Sequence, residues 1–217
     1  MLIVKIGLFG GTFNPIHCGH TKAAEEIIQK IELDKICFIP SNIPPHKEKN
    51  ELADANQRFK MVELAISGKH KFGISDCEIS KKEKCYTVDT LKHFKEKFPA
   101  HELYFIVGHD IFNRVQTWKD YKDLFELSNF IVISRPGFSD EDDELPLAIK
   151  DDFRYYREES EIKYFKHKSS NLLIKTQIKG LEVSSSEIRE LIKSKKSLKE
   201  LVPLPVERYI LNNNLYA

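Results

Sequence analysis

Along this chain, short aliphatic runs alternate with longer segments in which apolar residues return every three or four positions, the pattern of strands interleaved with helices. The runs are Ile3–Phe9, Lys35–Pro40, Phe72–Ile79, Glu102–Val107, Phe130–Ile133 and Leu172–Thr176. Ile3–Phe9 carries one charge, Lys5, as an inner strand covered on both faces does. Between the runs, Ala23, Ala24, Ile27, Ile28 and Ile31 give Gly19–Ile31 an apolar face. Phe59, Val62, Leu64, Ala65 and Ile66 do the same for Asp54–Ser67, with Asp54 or Asn56 as its cap. Val88, Leu91 and Phe94 or Phe98 predict a helix through Asp89–Phe98, with Thr87 an N-cap candidate, and a shorter helix is expected over Ile111–Val115. In Leu181–Arg189, LEVSSSEIR, the serines precede another periodic segment and predict a helix cap. The end, 198–217, reads as a helix launched by proline, returning Val206, Tyr209 and Ile210 to the core. Residues 139–170, aromatic positions interrupted by charge, predict a loop and a short helix.

Strands alternating with helices predict an α/β chain built on a doubly wound, mostly parallel sheet with helices on both faces. At 217 residues and 41% hydrophobic, the chain can bury one full core, so 1–217 reads as a single domain with 181–217 as a helical C-terminal subregion.

Polar and glycine-rich motifs fall at the ends of the predicted strands, where open α/β sheets bind ligands. After the first strand, Gly10 and Gly11 are free to take positive φ and bring backbone N–H groups close to a ligand. Thr12 adds a hydroxyl, and Asn14-Pro15 sets an extended or turn piece before His17. His17 and His20, three positions apart at a helix start, share one side beside N–H groups that attract anions; the plainer alternative is that one caps a turn and the other packs. After the second strand, Pro44 and Pro45 stiffen a loop presenting His46 and Lys47, either a solvated basic loop or an anion site. Gly108 ends another strand, and Asp110 is placed to accept from a ribose hydroxyl or to cap the next helix. Arg135 either balances phosphate charge or pairs with the acidic run Asp140–Glu144. Ser185, Ser186 and Arg189 collect hydroxyls, helix N–H groups and a guanidinium fork in one place. Trp118, the sole tryptophan, either packs or stacks on a ligand.

Charge narrows the partners. With 34 basic and 33 acidic residues the formal charge is +1, so no global field captures nucleic acid or a membrane, and charged small molecules must be held locally. Cys18, Cys37, Cys77 and Cys85 show no paired metal spacing and suit reduced thiols. No run approaches 18 apolar residues and Met1 leads straight into a strand, so a cytoplasmic protein, monomer or homo-oligomer, is expected.

The segment GGTFNPIHCGH (Gly10–His20) with VSSSEIR (Val183–Arg189) resembles the nucleotidyltransferases related to class I aminoacyl-tRNA synthetases by their H-x-G-H motif. PPHK, Thr87, Trp118, the R-P-G at Arg135–Gly137 and the chain end resemble, more narrowly, the bacterial nicotinate-nucleotide adenylyltransferases. The resemblance spans nearly the whole chain and is weak over 139–170. It implies a Rossmann-like fold and an ATP site made by Gly10, Gly11, Thr12, Phe13, His17, His20, Gly108, Asp110, Ser185, Ser186 and Arg189. It also implies a mononucleotide site made by Asn14, His46, Lys47, Thr87, Val88, Trp118 and Arg135, with Trp118 stacked on the pyridine ring and the main chain of Thr87 and Val88 meeting its carboxylate. His17, His20, Lys47 and Arg189 would be the catalytic donors. Three positions depart from the commoner pattern: Asn14 for Asp, His109 for Ala and Ser186 for Thr.

The implied reaction joins ATP and nicotinate mononucleotide into the deamido dinucleotide, releasing pyrophosphate. Its nucleophile, a phosphate oxygen, is already ionised at neutral pH, so placement and charge stabilisation are what the protein must supply. No carboxylate cluster for a protein-held metal is evident, so Mg2+ is expected to arrive on the ATP phosphates. The alternatives are an adenylyltransferase for nicotinamide mononucleotide or phosphopantetheine, and a nucleotide-binding sensor without turnover.

Overall fold

The computed structural model describes residues 2–42, 52–81, 83–134, 144–180 and 182–217, so His46, Lys47 and Arg135 lie outside the described residues. In chain order the elements are β1 (Lys5–Gly11), α1 (Cys18–Ile31), β2 (Lys35–Pro40), α2 (Ala55–Ile66), β3 (Phe72–Ile74), α3 (Thr87–Lys97), β4 (Glu102–Gly108) and α4 (His109–Phe112). After a 3-10 turn at Val115–Thr117 come α5 (Tyr121–Leu127), β5 (Asn129–Ser134), α6 (Leu147–Lys150), β6 (Phe153–Glu159), β7 (Ile162–His167), β8 (Leu172–Gln177), α7 (Ser185–Lys193) and α8 (Leu204–Asn212). The strands form one mixed sheet in the order β3-β2-β1-β4-β5-β8-β7-β6, mostly parallel and Rossmann-like.

The chain falls into two compact units, the first Met1–Phe9, Glu32–Asp34 and Tyr86–Lys179, the second Gly10–Ile31, Lys35–Cys85 and Gly180–Ala217. In the first, β1 pairs in parallel with β4 from Lys5↔Glu102 to Phe9↔Ile106, β4 with β5, and β5 with β8. Leu8, Phe130, Ile131 and Leu173 are fully excluded from water, the hydrophobic run that a strand covered on both faces requires. Phe125 and Phe130, 4.8 Å apart at their centroids, anchor an aromatic cluster with Phe105 and Phe112. In the second unit, β2 pairs in parallel with β3, and α2 packs on α8; Met61 and Val62 of α2 and Val206 and Ile210 of α8 are buried. Ala24 and Ile27 of α1 are likewise buried, as their spacing predicts.

The structure corrects several sequence expectations. Gly10 and Gly11 are strand residues without positive φ; the left-handed residue of the loop is Phe13, at φ 49°. The run Phe72–Ile79 is a strand only to Ile74: Ser75 N–H still reaches Phe38 O at 2.9 Å, and the chain then turns. Thr87 is the first residue of α3, whose N-cap is Tyr86 with no side-chain capping bond. The predicted helix over Ile111–Val115 is instead the short α4 and the following 3-10 turn. Of the serines expected to cap a helix, Ser184 caps α7, accepting from Glu187 N–H at 3.1 Å. Tyr209 is half-buried, whereas Val206 and Ile210 face the core. Within 139–170 the structure holds a hairpin: β6 and β7 pair antiparallel, and β7 pairs antiparallel with β8. As the edge strand, β6 is exposed at every position after Phe153 and needs no apolar alternation to form, so its sequence gives little sign of it.

Candidate active site

Most of the expected phosphate-binding residues gather in the second compact unit, around the loop that joins β1 to α1. Gly11 leaves room for the ring of Phe13: a Cβ there would stand 2.8 Å from Phe13 Cζ. Phe13, 2% exposed, meets His20 edge-on at 5.1 Å and packs on Phe38 at 5.8 Å, and so fixes one side of the His20 imidazole. The Asn14-Pro15 peptide is cis. His17 is buried and His20 half-buried, with ring centroids 3.7 Å apart and planes inclined at 31°. The backbone N–H of His17 donates to His20 Nδ1 at 3.3 Å. A neutral His20 that accepts at Nδ1 carries its proton on Nε2, which makes that atom a donor.

Gly19 explains the glycine of the motif. A Cβ at this position would lie 2.9 Å from His17 Nδ1 and 3.0 Å from Val183 Cγ1, so the imidazole packs against a bare backbone. The start of α1 is less open than the sequence suggests, because Cys18 N–H donates to Leu201 O at 2.8 Å. Burial pushes the Cys18 thiol up, with a smaller opposing effect from Lys22, which leaves it a protonated thiol and a poor nucleophile.

The second helix start of this unit, at α7, is bonded to the same loop. Ser185 Oγ donates to Pro15 O at 2.9 Å, and Arg189 Nη1 donates to Asn14 O at 3.0 Å while Nη2 donates to Ser186 Oγ at 3.3 Å. Ser185 and Arg189 thus hold the loop that carries the histidines. Asn14 is buried at 2% exposure, and its Oδ1 accepts from Ala53 N–H at 3.0 Å and from the Tyr216 hydroxyl at 2.8 Å. Arg58, 1% exposed, donates to four backbone carbonyls: Thr12 at 2.7 Å, Ser41 at 2.6 Å, Asn42 at 2.7 Å and Ala53 at 3.0 Å. Burial holds the Arg58 guanidinium below its ordinary value, with Tyr216 and Asp54 opposing.

Gly19, Arg58 and Tyr216 are not among the site residues expected from the sequence. The signal for Gly19 was its place between the histidines; nothing local marks Tyr216.

The remaining candidates lie in the first unit. Gly108 N-caps α4, and a Cβ there would fall 2.7 Å from Asp110 Oδ1, so glycine makes room for an exposed carboxylate folded back over the strand exit. His109, the departure from the commoner alanine, is buried with Nε2 at 2.7 Å from Asn113 Nδ2. At the start of α3, the N–H groups of Asp89 and Thr90 both go to Tyr86 O, at 3.0 and 3.1 Å. Thr87 and Val88 precede those bonds, where main-chain N–H groups can face a ligand, and the Val88 side chain is itself fully buried. Trp118 is half-buried and sits nearly perpendicular to Phe105 at 6.1 Å. The next residue, Lys119, reaches both carboxylate oxygens of Asp89 at 3.3 and 3.4 Å and lies over the Tyr86 ring at 4.9 Å, which connects the Trp118 segment to the first turn of α3.

Comparison with known proteins gives the family. The cytidylyltransferase-like family matches residues 8–191. A protein of Geotalea uraniireducens named probable nicotinate-nucleotide adenylyltransferase is 40% identical over 215 residues, covering 98% of each chain, and one of Clostridium tetani with the same name is 40% identical over 212 residues, again covering 98% of each. Among solved structures, a Plasmodium falciparum nicotinic acid mononucleotide adenylyltransferase complexed with NaAD has a similar fold, with TM-score 0.73 at 24% identity over 98% of this chain and 97% of that one. A strand, a histidine-bearing loop tied to a serine–arginine helix start, and near full-length identity of 40% converge: this chain belongs to the cytidylyltransferase-like family and, within it, to the nicotinate-nucleotide adenylyltransferases.

Proposed function

We propose that the protein transfers the adenylyl group of ATP to nicotinate mononucleotide, giving nicotinate adenine dinucleotide and pyrophosphate in NAD biosynthesis. The observation that carries this reading is the shared anchoring of His20 and Arg189 to one loop, with Arg189 bonded to Asn14 O at 3.0 Å and His17 N–H to His20 Nδ1 at 3.3 Å. The mononucleotide phosphate, ionised at neutral pH, attacks the α-phosphorus of ATP, and pyrophosphate leaves on the opposite side. No proton needs to be removed from the nucleophile. Rate therefore comes from in-line placement and from donors aimed where charge grows. His20 Nε2–H and Arg189 supply those donors, with His17, Ser185 and Ser186 completing the phosphate side and Gly10, Gly11, Thr12 and Phe13 shaping it. Lys47 and His46 are assigned to phosphate contact on the PPHK resemblance, and Arg135 on the R-P-G resemblance. Gly108 and Asp110 take the ribose, and Trp118 stacks on the pyridine ring.

Magnesium is assigned to this scheme as part of the nucleotide substrate, carried on the ATP phosphates. The match to one family from residue 8 to 191 supports treating 1–217 as a single nucleotidyltransferase domain. The cytoplasm, where ATP and pyridine nucleotides are available, is the proposed site of action.

The main-chain donors at Thr87 and Val88 favour a pyridine carboxylate over an amide, whose NH2 would face an N–H and lose its water unreplaced. That preference is about 5-fold to 150-fold. The test is to supply Mg-ATP with nicotinate mononucleotide, nicotinamide mononucleotide or phosphopantetheine in turn and follow dinucleotide and pyrophosphate. Turnover with the nicotinate acceptor, at a kcat/KM at least about fivefold above the amide, is expected. A ratio near one makes the enzyme dual-specific, product only from phosphopantetheine reassigns the acceptor, and ATP binding without pyrophosphate release makes it a sensor.

A further inference from the structure

The last turn of the chain folds back onto the loop that carries the histidines. Asn214 and Tyr216 hold left-handed backbone angles, φ 49° and 66°, and Leu215 between them is 8% exposed. The Tyr216 hydroxyl donates to Asn14 Oδ1 at 2.8 Å, across 202 positions of sequence. Left-handed angles at non-glycine residues persist where surrounding contacts impose them. Here the contacts are specific. Asn14 receives Tyr216 and Ala53 on its side chain and Arg189 on its carbonyl, while Arg58 holds the carbonyl of Thr12 two residues earlier. His17 begins three residues after Asn14, and its N–H sets the acceptor at His20 Nδ1.

We infer that Tyr216, the penultimate residue, is a positioning residue for adenylyl transfer: through Asn14 it fixes the turn from Asn14 to His17, so that His20 and Arg189 address the same phosphate. This rests on the function proposed above. Two features give the bond weight. The acceptor is buried, so an Asn14 oxygen that loses one of its donors does not regain it from water. Burial also raises the Tyr216 hydroxyl above the ordinary tyrosine range, so it stays protonated and donating at every pH at which the enzyme would work. A hydrogen bond at this remove acts on geometry. Small misplacement of donors is felt at the transition state more than in substrate binding, which places the effect on kcat.

Tyr216→Phe keeps the ring and the packing of Leu215 and removes the hydroxyl alone. The expected result is a fall in kcat of about fivefold to tenfold, with KM for ATP and for nicotinate mononucleotide changed less than about twofold. The imidazole NMR signals of His17 and His20 should move in the same variant. Asn14→Ala should itself lower kcat, and adding Tyr216→Phe to it should cost nothing more. An unchanged kcat with unchanged histidine signals overturns the inference, as does a double variant whose losses multiply. So does a loss that disappears when both proteins are assayed far below their Tm, which marks a purely structural role. Wild-type protein that fails to make the dinucleotide overturns the proposed function by itself; the histidine signals of Tyr216→Phe then decide the role of Tyr216 without any assay of turnover.

Discussion

The two sets of candidate site residues are held in place by different physics. Around Gly10–His20 and the start of α7, side chains bond to backbone carbonyls, most of them distant in sequence: Ser185 to Pro15, Arg189 to Asn14 and Arg58 to Thr12, Ser41, Asn42 and the nearer Ala53, all between 2.6 and 3.0 Å. Arg58 and Asn14 are nearly fully buried, so these bonds are shielded from competing water. In the first unit, by contrast, Thr87, Val88 and Trp118 rely on a helix start, an aromatic contact and the Lys119–Asp89 pair, whose side chains are 44% and 38% exposed. An exposed pair of this kind contributes little stability. Donors that must meet charge developing on phosphate have to be preorganised, whereas a planar ring and its carboxylate can be recognised by one flat side chain and main-chain N–H groups.

This contrast predicts where substitutions act, and how strongly. The largest effect is expected at His20. His20→Ala should lower kcat by at least about a hundredfold in a folded protein, because the Nε2 donor serves mainly as charge redistributes. Near-normal turnover, with circular dichroism and Tm unchanged, would remove His20 from the chemistry.

Arg189→Lys comes next, with an expected loss of about tenfold or more in kcat/KM. One ammonium does not reproduce the planar fork that bonds Asn14 O and Ser186 Oγ together. Kinetics within about twofold of wild type would show that the fork serves the fold alone.

Trp118→Ala tests the other half of the comparison. KM or Kd for the mononucleotide should rise about tenfold while ATP binding changes less than about twofold, since stacking touches only the pyridine side. Separate titrations of the two substrates decide it, and equal losses for both would make Trp118 a packing residue against Phe105.

The smallest effect is expected at Lys119. Its ammonium offsets the Asp89 carboxylate in the first turn of α3, where an uncompensated negative charge would oppose the pyridine carboxylate proposed to bind there. Lys119→Met should lower the acid-to-amide ratio of kcat/KM by about twofold to threefold, the modest size that an exposed pair permits. An unchanged ratio would confine Lys119 to the surface.

The sequence by itself determined the α/β alternation, the inner strands and the helix faces, because each follows from local periodicity: runs such as Glu102–Val107 and the three- and four-residue spacing of Ala23 to Ile31 are written in neighbouring positions. The histidine loop and the serine–arginine helix start were legible for the same reason, as short motifs whose residue types suit phosphate. Elements whose stability comes from elsewhere were not. The β6–β7 hairpin is bonded through β8, and an edge strand exposed along its length leaves no apolar pattern to read. Nor does local sequence show that Phe13 rather than the glycines takes the positive φ, that Gly19 must be bare to admit the His17 ring, or that His109 turns inward to Asn113. Arg58 looks like an ordinary polar position of a helix and Tyr216 like a loose end. Only the tertiary structure places one against four carbonyls and the other against Asn14, because a buried polar group takes its partners from whatever the folded chain brings near, at any separation in sequence.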